Sequence, residues 1–299
     1  MFSEFHTEVR IPDFEWQTGY QKQNLFVGSC FTEHIGRKME TLKYPADINP
    51  FGILYNPISI SKGLRILLEE KTFTKNDLFL YNGLWHSFYH HSKFSSPEAE
   101  KTLENINARL KISTQNLKNA KFLFLTFGTS LVYEHKTSGK IVSNCHKIPE
   151  KEFRRFRLTL SEITDEYSRL LKEIWRVNPD VRVILTVSPI RHIKDGAIEN
   201  QRSKAILLLA TETVINEFGT GHCNYFPAYE IMMDELRDYR YYEEDMIHLS
   251  TSAINHIWYT FEKALIDEES REISKNIKKI TNALNHKPFN RFTKNTFSF

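Results

Sequence analysis

The sequence predicts a doubly wound α/β fold, a three-layer sandwich around a mostly parallel five-stranded sheet. Three observations predict it. Short apolar runs of β type alternate with longer stretches of helical periodicity. Two of those runs, Phe122–Phe127 (FLFLTF) and Val181–Val187 (VRVILTV), are almost continuously apolar and bounded by turn residues, as strands covered on both faces are. At 299 residues and 40% hydrophobic content, the chain can bury one large core. Residues 1–299 therefore read as a single domain, with a basic helical extension from about residue 270.

The elements follow in order. Leu25–Gly28 is a first strand, and Cys30–Thr41 continues from it as a helix. Ala46–Ile48 is a weaker second strand, and Pro57 opens the helix ISISKGLRILLEE at a position that tolerates proline. Phe122–Phe127 is a central strand. Ser161–Val177 places Ile163, Tyr167, Leu170, Leu171, Ile174 and Trp175 at helical spacing, and Asn178-Pro179 stops it. Val181–Val187 is the next strand, followed by a helix at Gln201–Phe218, a weak strand at Asn224–Phe226 and a helix at Ser252–Asp267. From Ser270 the chain turns basic and polar. Its first half fits an amphipathic helix, and its last ten residues are expected to fray.

Composition excludes several classes of function. The net charge of +3 is too small to suggest a nucleic-acid partner, since phosphate binding usually shows as a clustered basic face. Three cysteines, Cys30, Cys145 and Cys223, make neither a CxxC pair nor an even framework, so reduced thiols are expected. The N-terminal MFSEFHTEVRIPDFEW lacks an apolar core and does not read as a signal peptide. No run approaches 18 apolar residues, so no membrane partner is expected and the cytoplasm is the expected location.

Candidate chemistry gathers where strands end. Gly28 closes the first strand, and Ser29, Cys30, Phe31 and Thr32 follow at what would be the carboxyl edge of the sheet, where open α/β sheets bind ligands. A cysteine at a helix N-terminus tends towards a lowered pKa. The plainer reading is a small-residue turn with a helix-capping serine. Gly128-Thr129-Ser130 and Ser188-Pro189-Ile190-Arg191-His192 end two further strands. Asp245-Met246-Ile247-His248 then places an aspartate where it can orient an imidazole, as acyl-transfer triads require.

These residues carry a resemblance. Gly28-Ser29-Cys30-Phe31-Thr32 resembles the opening block of the GSCFA family, within the flavodoxin-like SGNH/GDSL hydrolase-like superfamily, with Thr32 in place of the motif's alanine. The resemblance continues through Asn49-Pro50-Phe51-Gly52, Tyr55-Asn56-Pro57, Gly128-Thr129, Asn144-Cys145-His146-Lys147, Thr186-Val187-Ser188-Pro189, Ser203-Lys204-Ala205, Tyr225 to Glu230, and Asp234 to Asp245 with His248. It implies Cys30 as nucleophile, with Ser29 as the alternative if the alignment slips by one residue. It implies Asp245 and His248 as the remaining pair, and Gly52 as a backbone oxyanion donor. Gly128 aligns with the third block, which lacks its usual asparagine here. Thr129, Ser130 or Asn144 would supply that donor.

The implied function is an SGNH-like acyl-transfer enzyme, an ester hydrolase or O-acyltransferase acting on a small ester or an O-acylated carbohydrate. No cofactor and no metal are implied. The alternatives are a non-catalytic binding or scaffold protein of the same fold, and a thiol redox protein, which would lack a nearby resolving cysteine. Three other features are read as structural. His86 and His90 have metal-like spacing, but Trp85–Tyr89 follows Asn82-Gly83 and reads as strand or loop. Cys145-His146 and His222-Cys223 lack zinc-ligand spacing. Ser203-Lys204 resembles a Ser–Lys dyad, but adjacent residues on a helix point apart, so a helix-surface role is expected.

Overall fold

A computed structural model describes residues 7–285. Strand β1 (Asn24–Gly28) runs into helix α1 (Cys30–Thr41), and β2 (Ala46–Ile48) and α2 (Pro57–Leu68) follow. A hairpin of β3 (Phe79–Tyr81) and β4 (Leu84–His86) precedes the long α3 (Ala99–Asn119) and β5 (Phe122–Phe127). Then come β6 (Leu131–His135), β7 (Lys140–Val142), β8 (Phe153–Arg157), α4 (Leu160–Val177), β9 (Arg182–Val187), α5 (Ala197–Phe218) and β10 (Cys223–Tyr225). Helix α6 (Ala228–Glu230) continues into a π-helical turn, Ile231–Glu235, before α7 (Thr251–Leu265) and α8 (Glu268–Asn285).

The central sheet has the order β10-β9-β5-β1-β2, and every pairing in it is parallel. All five strands expected from the sequence are in it. Alternation along the strands divides the core in two. Leu25, Val27, Leu123, Leu125, Phe127, Val183 and Leu185 face α2, α3, α4 and α5. Phe26, Phe124 and Ile184 face α1 and α7. Phe26 stacks on Phe124 with ring centroids 4.3 Å apart. Burying a side chain of that size contributes about 1.5–3 kcal/mol.

Local chemistry accounts for the helix starts. The Asn56 side chain accepts the Ser59 N–H ahead of Pro57, and Thr159 and Glu162 form a capping box on α4. Thr18 ties the two ends of the fold together. Its N–H donates to Leu265 O at 2.7 Å, and its carbonyl accepts the Asp267 N–H at 2.9 Å.

The structure adds elements the sequence did not announce. Helix α3 buries Thr102, Ser113 and Thr114 beside Ile106, Leu110 and Leu117, so its apolar pattern is thin. Strands β6, β7 and β8 make a separate antiparallel sheet in the order β7-β6-β8. Strand β8 reads FRRFR, and only its first residue is fully buried. The hairpin of β3 and β4 turns at Asn82 and Gly83, both at positive φ. The last ten residues of the chain lie outside the described residues. No helix among the described residues is long and apolar enough to cross a membrane.

Candidate functional site

The β1–α1 turn is held from three sides. Asn49 Oδ1 accepts the Gly28 N–H at 2.9 Å, Thr126 O accepts the Ser29 N–H at 3.3 Å, and Gly28 O accepts the Leu54 N–H at 2.9 Å. Gly28 lies against the Thr126 backbone, where a Cβ would overlap it. Ser29 occupies the N-cap position of α1 and is fully buried, but its side chain makes no capping bond. Cys30, the first residue of α1, is partly exposed. The helix-capping expectation for Ser29 therefore holds in position only.

The Cys30 thiol differs from expectation as well. Burial pushes its pKa up, and this outweighs the lowering by the Tyr55 hydroxyl and by the charge of Lys204, while Glu33 adds to the rise. Four buried side-chain atoms gather around this edge without a partner: Ser29 Oγ, Thr32 Oγ1, Asn49 Nδ2 and His192 Nε2. Buried polar atoms are nearly always bonded, so such a set marks a place where a ligand or water can bind.

Gly128 closes the floor of the site. A Cβ there would lie 2.9 Å from Tyr55 O, 3.0 Å from His192 Nε2 and 3.3 Å from Ser29 Cβ. The Gly128 and Thr129 N–H groups both donate to Tyr55 O, at 2.8 and 2.9 Å. Ser203 Oγ accepts the Ser130 N–H at 2.7 Å and lies 3.0 Å from Thr129 Oγ1 and 3.1 Å from Ser130 Oγ. Asn144 Oδ1 accepts the His146 N–H at 2.8 Å, and Gly52 donates its N–H to Asn49 O at 2.8 Å. The N–H groups of Gly52 and Gly128 and the Thr129 and Ser130 hydroxyls are thus engaged inside the protein, whereas the Asn144 bond uses its acceptor oxygen and leaves the Nδ2 donor out of it. The geometry offers instead Asn49 Nδ2 and the free N–H groups of the first turn of α1.

Two residues read as peripheral are central. Ser203 and Lys204 are both buried, contrary to a helix-surface role. Adjacent side chains on α5 do diverge, but here both directions lead inward. Ser203 meets the end of β5, and Lys204 Nζ donates to Gly128 O at 2.7 Å and Ser188 O at 2.6 Å. His192 donates its backbone N–H to Asn200 Oδ1 at 2.9 Å and sets its ring edge-on to Tyr55 at 5.3 Å. Burial, with the charges of Lys204, Arg155 and His248, pushes the His192 imidazole down to about 3. The sequence marks Lys204 beside Ser203 and His192 at the end of the strand Val181–Val187, but nothing local to either shows what it meets here. Asn49, directly after a short strand, was within reach of sequence reasoning.

Asp245 and His248 form a pair. His248 Nδ1 lies 2.6 Å from Asp245 Oδ2, and Asp245 Oδ1 accepts the N–H groups of Ile247 and His248 at 2.8 and 2.9 Å. These bonds hold the Asp245 carboxyl down to about 2. Arg191 fixes the loop to the end of β9, through its N–H to Ile247 O at 3.3 Å and its guanidinium to Met246 O at 3.2 Å. The pair is about half exposed. Its charge reaches His192 and also His34, one turn along α1 from Cys30. Among the described residues, no hydrogen bond joins His248 to Ser29 or Cys30.

The His86 ring engages Ser95 Oγ and Tyr81 O, and the His90 ring engages Ser87 Oγ. Among the described residues, no group of three or more His, Cys, Asp or Glu side chains is arranged to hold a metal ion.

The sequence profile of the GSCFA family matches residues 23–261, a span containing Ser29, Cys30, Lys204, Asp245 and His248. A solved structure described as a Clostridium thermocellum family 3 carbohydrate esterase is similar at 12% identity and a TM-score of 0.35, covering 85% of this chain and 98% of that one. No curated protein matches.

Proposed function

The chain belongs to the GSCFA family, and from that premise we propose that it is a thiol-dependent acyl-transfer enzyme, an ester hydrolase or O-acyltransferase. Its substrate class is a small ester or an O-acylated carbohydrate, by analogy with the superfamily it resembles. The observation that carries the reading is the Asp245–His248 pair. Two backbone N–H groups and one imidazole nitrogen hold a single carboxylate, which leaves His248 Nε2 to exchange protons.

Cys30 is the nucleophile in this reading because it is the accessible member of the turn, whereas Ser29 is sealed. His248 takes the thiol proton, and Cys30 Sγ attacks the acyl carbonyl carbon. The free N–H groups at the start of α1 receive the oxyanion. Collapse expels the alkoxide, which takes the proton from His248 and leaves a thioester on Cys30. Water or an acceptor hydroxyl then attacks, with His248 again the base. Catalytic hydrogen bonds commonly tighten only once substrate is bound, and that closure would bring His248 onto Cys30.

The test is a panel of p-nitrophenyl esters and O-acetylated oligosaccharides, with the quenched protein mapped by mass spectrometry. An acyl adduct on the Cys30 peptide that forms and turns over supports the reading. Unmodified Ser29 and Cys30 throughout would favour the non-catalytic binding protein, for which the engagement of Gly52, Thr129 and Ser130 already speaks.

A further inference from the structure

A cavity of about 240 Å³ opens at the carboxyl edge of the sheet, beyond the ends of β9 and β10. An engineered cavity of about 150 Å³ holds benzene, so this one has room for a single substituted six-membered ring. Helix α5 gives it one wall, with Asn200 and Gln201, and the π-helical turn gives another, with Met232 and Met233. The rings of Tyr229, Tyr239 and Tyr242 line the rest. Turns of π type are rare and occur mostly at functional sites. This one is pinned from outside, because Glu235 Oε1 accepts the Val9 N–H at 2.7 Å and Glu235 Oε2 lies 2.7 Å from His256 Nε2.

The polar side chains left over in the cavity are chiefly donors. Asn200 Oδ1 accepts the His192 N–H at 2.9 Å, and Gln201 Oε1 accepts the Tyr229 O–H at 2.8 Å. Among the described residues, neither amide nitrogen bonds anything in return. Lys204 also lines the wall, but its Nζ is spent on Gly128 O and Ser188 O. Arg237 reaches Asp234 at 3.9 Å and Arg240 reaches Asp238 at 3.6 Å. Among the described residues, no carboxylate pairs with Arg191. Its guanidinium lies 5.7 Å from the Tyr242 ring centroid and gives one N–H to Met246 O at 3.2 Å. The rest of that planar fork is free to bind a carboxylate or phosphate through two hydrogen bonds.

Tyrosine rings beside amide donors and a free guanidinium suit a ring with an apolar face, several hydroxyl acceptors and one anionic group. We propose that this cavity binds an acidic sugar unit, a pyranose carrying a carboxylate or a phosphate, with Arg191 as its anion anchor. For its place in the reaction the proposal rests on the acyl-transfer reading and deepens it. Strands β9 and β10 lie two and three places from β1 in the sheet, about 10–15 Å along its edge at about 4.8 Å per strand. That separation suits an O-acylated oligosaccharide with its ester at Cys30 and an acidic unit in the cavity. Arg191 also bonds the loop of Asp245 and His248, through Ile247 O and Met246 O, so the anion would sit beside the catalytic pair.

The experiment is isothermal titration calorimetry of the full chain with galacturonate, glucose 6-phosphate, glucose and benzoate. At least one acidic sugar should bind about tenfold or more tighter than glucose and benzoate, the scale of one charge-assisted bidentate contact. Which of the two does so identifies the anion. Arg191→Met should erase the preference over glucose, and Arg191→Lys should restore only part of it, because a point charge lacks the fork. Tyr239→Ala removes a ring that is 67% exposed and should weaken sugar binding severalfold. Three results overturn the proposal: no binding of either acidic sugar at about 10 mM, binding that survives both Arg191→Met and Tyr239→Ala, or benzoate bound as well as galacturonate. Should Arg191→Met not fold, Tyr239→Ala decides, and unchanged binding there overturns the proposal equally. Binding needs no ester turnover. Inert esters with Arg191-dependent binding would sink acyl transfer alone, and normal turnover with no acidic sugar bound would sink this proposal alone.

Discussion

Ser203 Oγ lies 2.7 Å from the backbone nitrogen of Ser130, so a hydroxyl on α5 satisfies a peptide group in the turn that leaves β5. The same oxygen reaches Thr129 and Ser130 side chains, which makes it the hub of a buried polar cluster. Ser203→Ala strands the Ser130 N–H. An unsatisfied buried group costs about 1–3 kcal/mol. Urea unfolding should show a midpoint lowered accordingly with an unchanged slope, and an unchanged midpoint would refute the hub.

Turnover assigns the nucleophile. Cys30→Ala should lower it by roughly 10⁴-fold or more, the scale on which triad members act. Ser29→Ala should cost no more than about tenfold, because its oxygen bonds nothing in the protein. The opposite ranking would make this a serine enzyme.

Asp245→Asn should lower kcat by roughly 10²–10⁴-fold, with KM much less affected, because the lost charge supports the imidazolium rather than binding substrate. The wild-type carboxyl titrates near 2, below the ordinary carboxylate range. Its contribution to stability is therefore present above about pH 4 and is lost as pH falls through 2. The acid limb of a pH–rate profile between pH 5 and 8 should belong to other groups and should survive in the variant.

The imidazoles pushed furthest down, the buried His90 and His146 and the partly buried His192, weigh most on the acid tolerance of the fold. Burial lowers His90 and His192 to about 3 and His146 to about 4. Against an unfolded value of about 6.5, each favours the native state fully above that pH, and the advantage fades as pH falls towards the folded value. Melting temperatures measured from pH 7.5 to pH 4 should decline steadily, and His192→Gln should flatten the slope. A melting temperature independent of pH over that range would contradict the assignment.

What could be read in the sequence was what depends on near neighbours. The three central strands stood out because burial on both faces demands runs such as FLFLTF, whereas the three-residue edge strands at Ala46–Ile48 and Cys223–Tyr225 gave only weak signals. The β1–α1 turn stood out because Gly28 gives way directly to small residues and then to a helix. Asp245 and His248 are three residues apart, so their pairing is local. Helix α3 escaped because Thr102, Ser113 and Thr114 occupy its buried stripe. Strand β8 escaped because FRRFR hides one buried phenylalanine among arginines. Lys204, His192 and Asn49 were named in the sequence, in the Ser203-Lys204-Ala205 block, after the strand Val181–Val187 and ahead of Pro50, but the places of Lys204 and His192 in the site escaped because they are defined by groups that only folding brings near. Lys204 meets Gly128 across 76 residues of sequence. Its burial could not be inferred from the helix rule that adjacent residues diverge, because that rule does not say that either direction is solvent.

Thr18 pairs with Ile266, and these two positions bracket the span 23–261 that carries the family signature. A chain emerging from the ribosome has β1 and α1 available early, but Phe26 and Phe124 must wait for Phe261 on α7 before their face of the sheet is covered. The pairing of Thr18 comes later still, since it closes a loop almost as long as the chain and entropy opposes it until the rest is in place. The face of the sheet that carries Phe26 and Phe124 therefore stays uncovered until α7 has been made and docks on it.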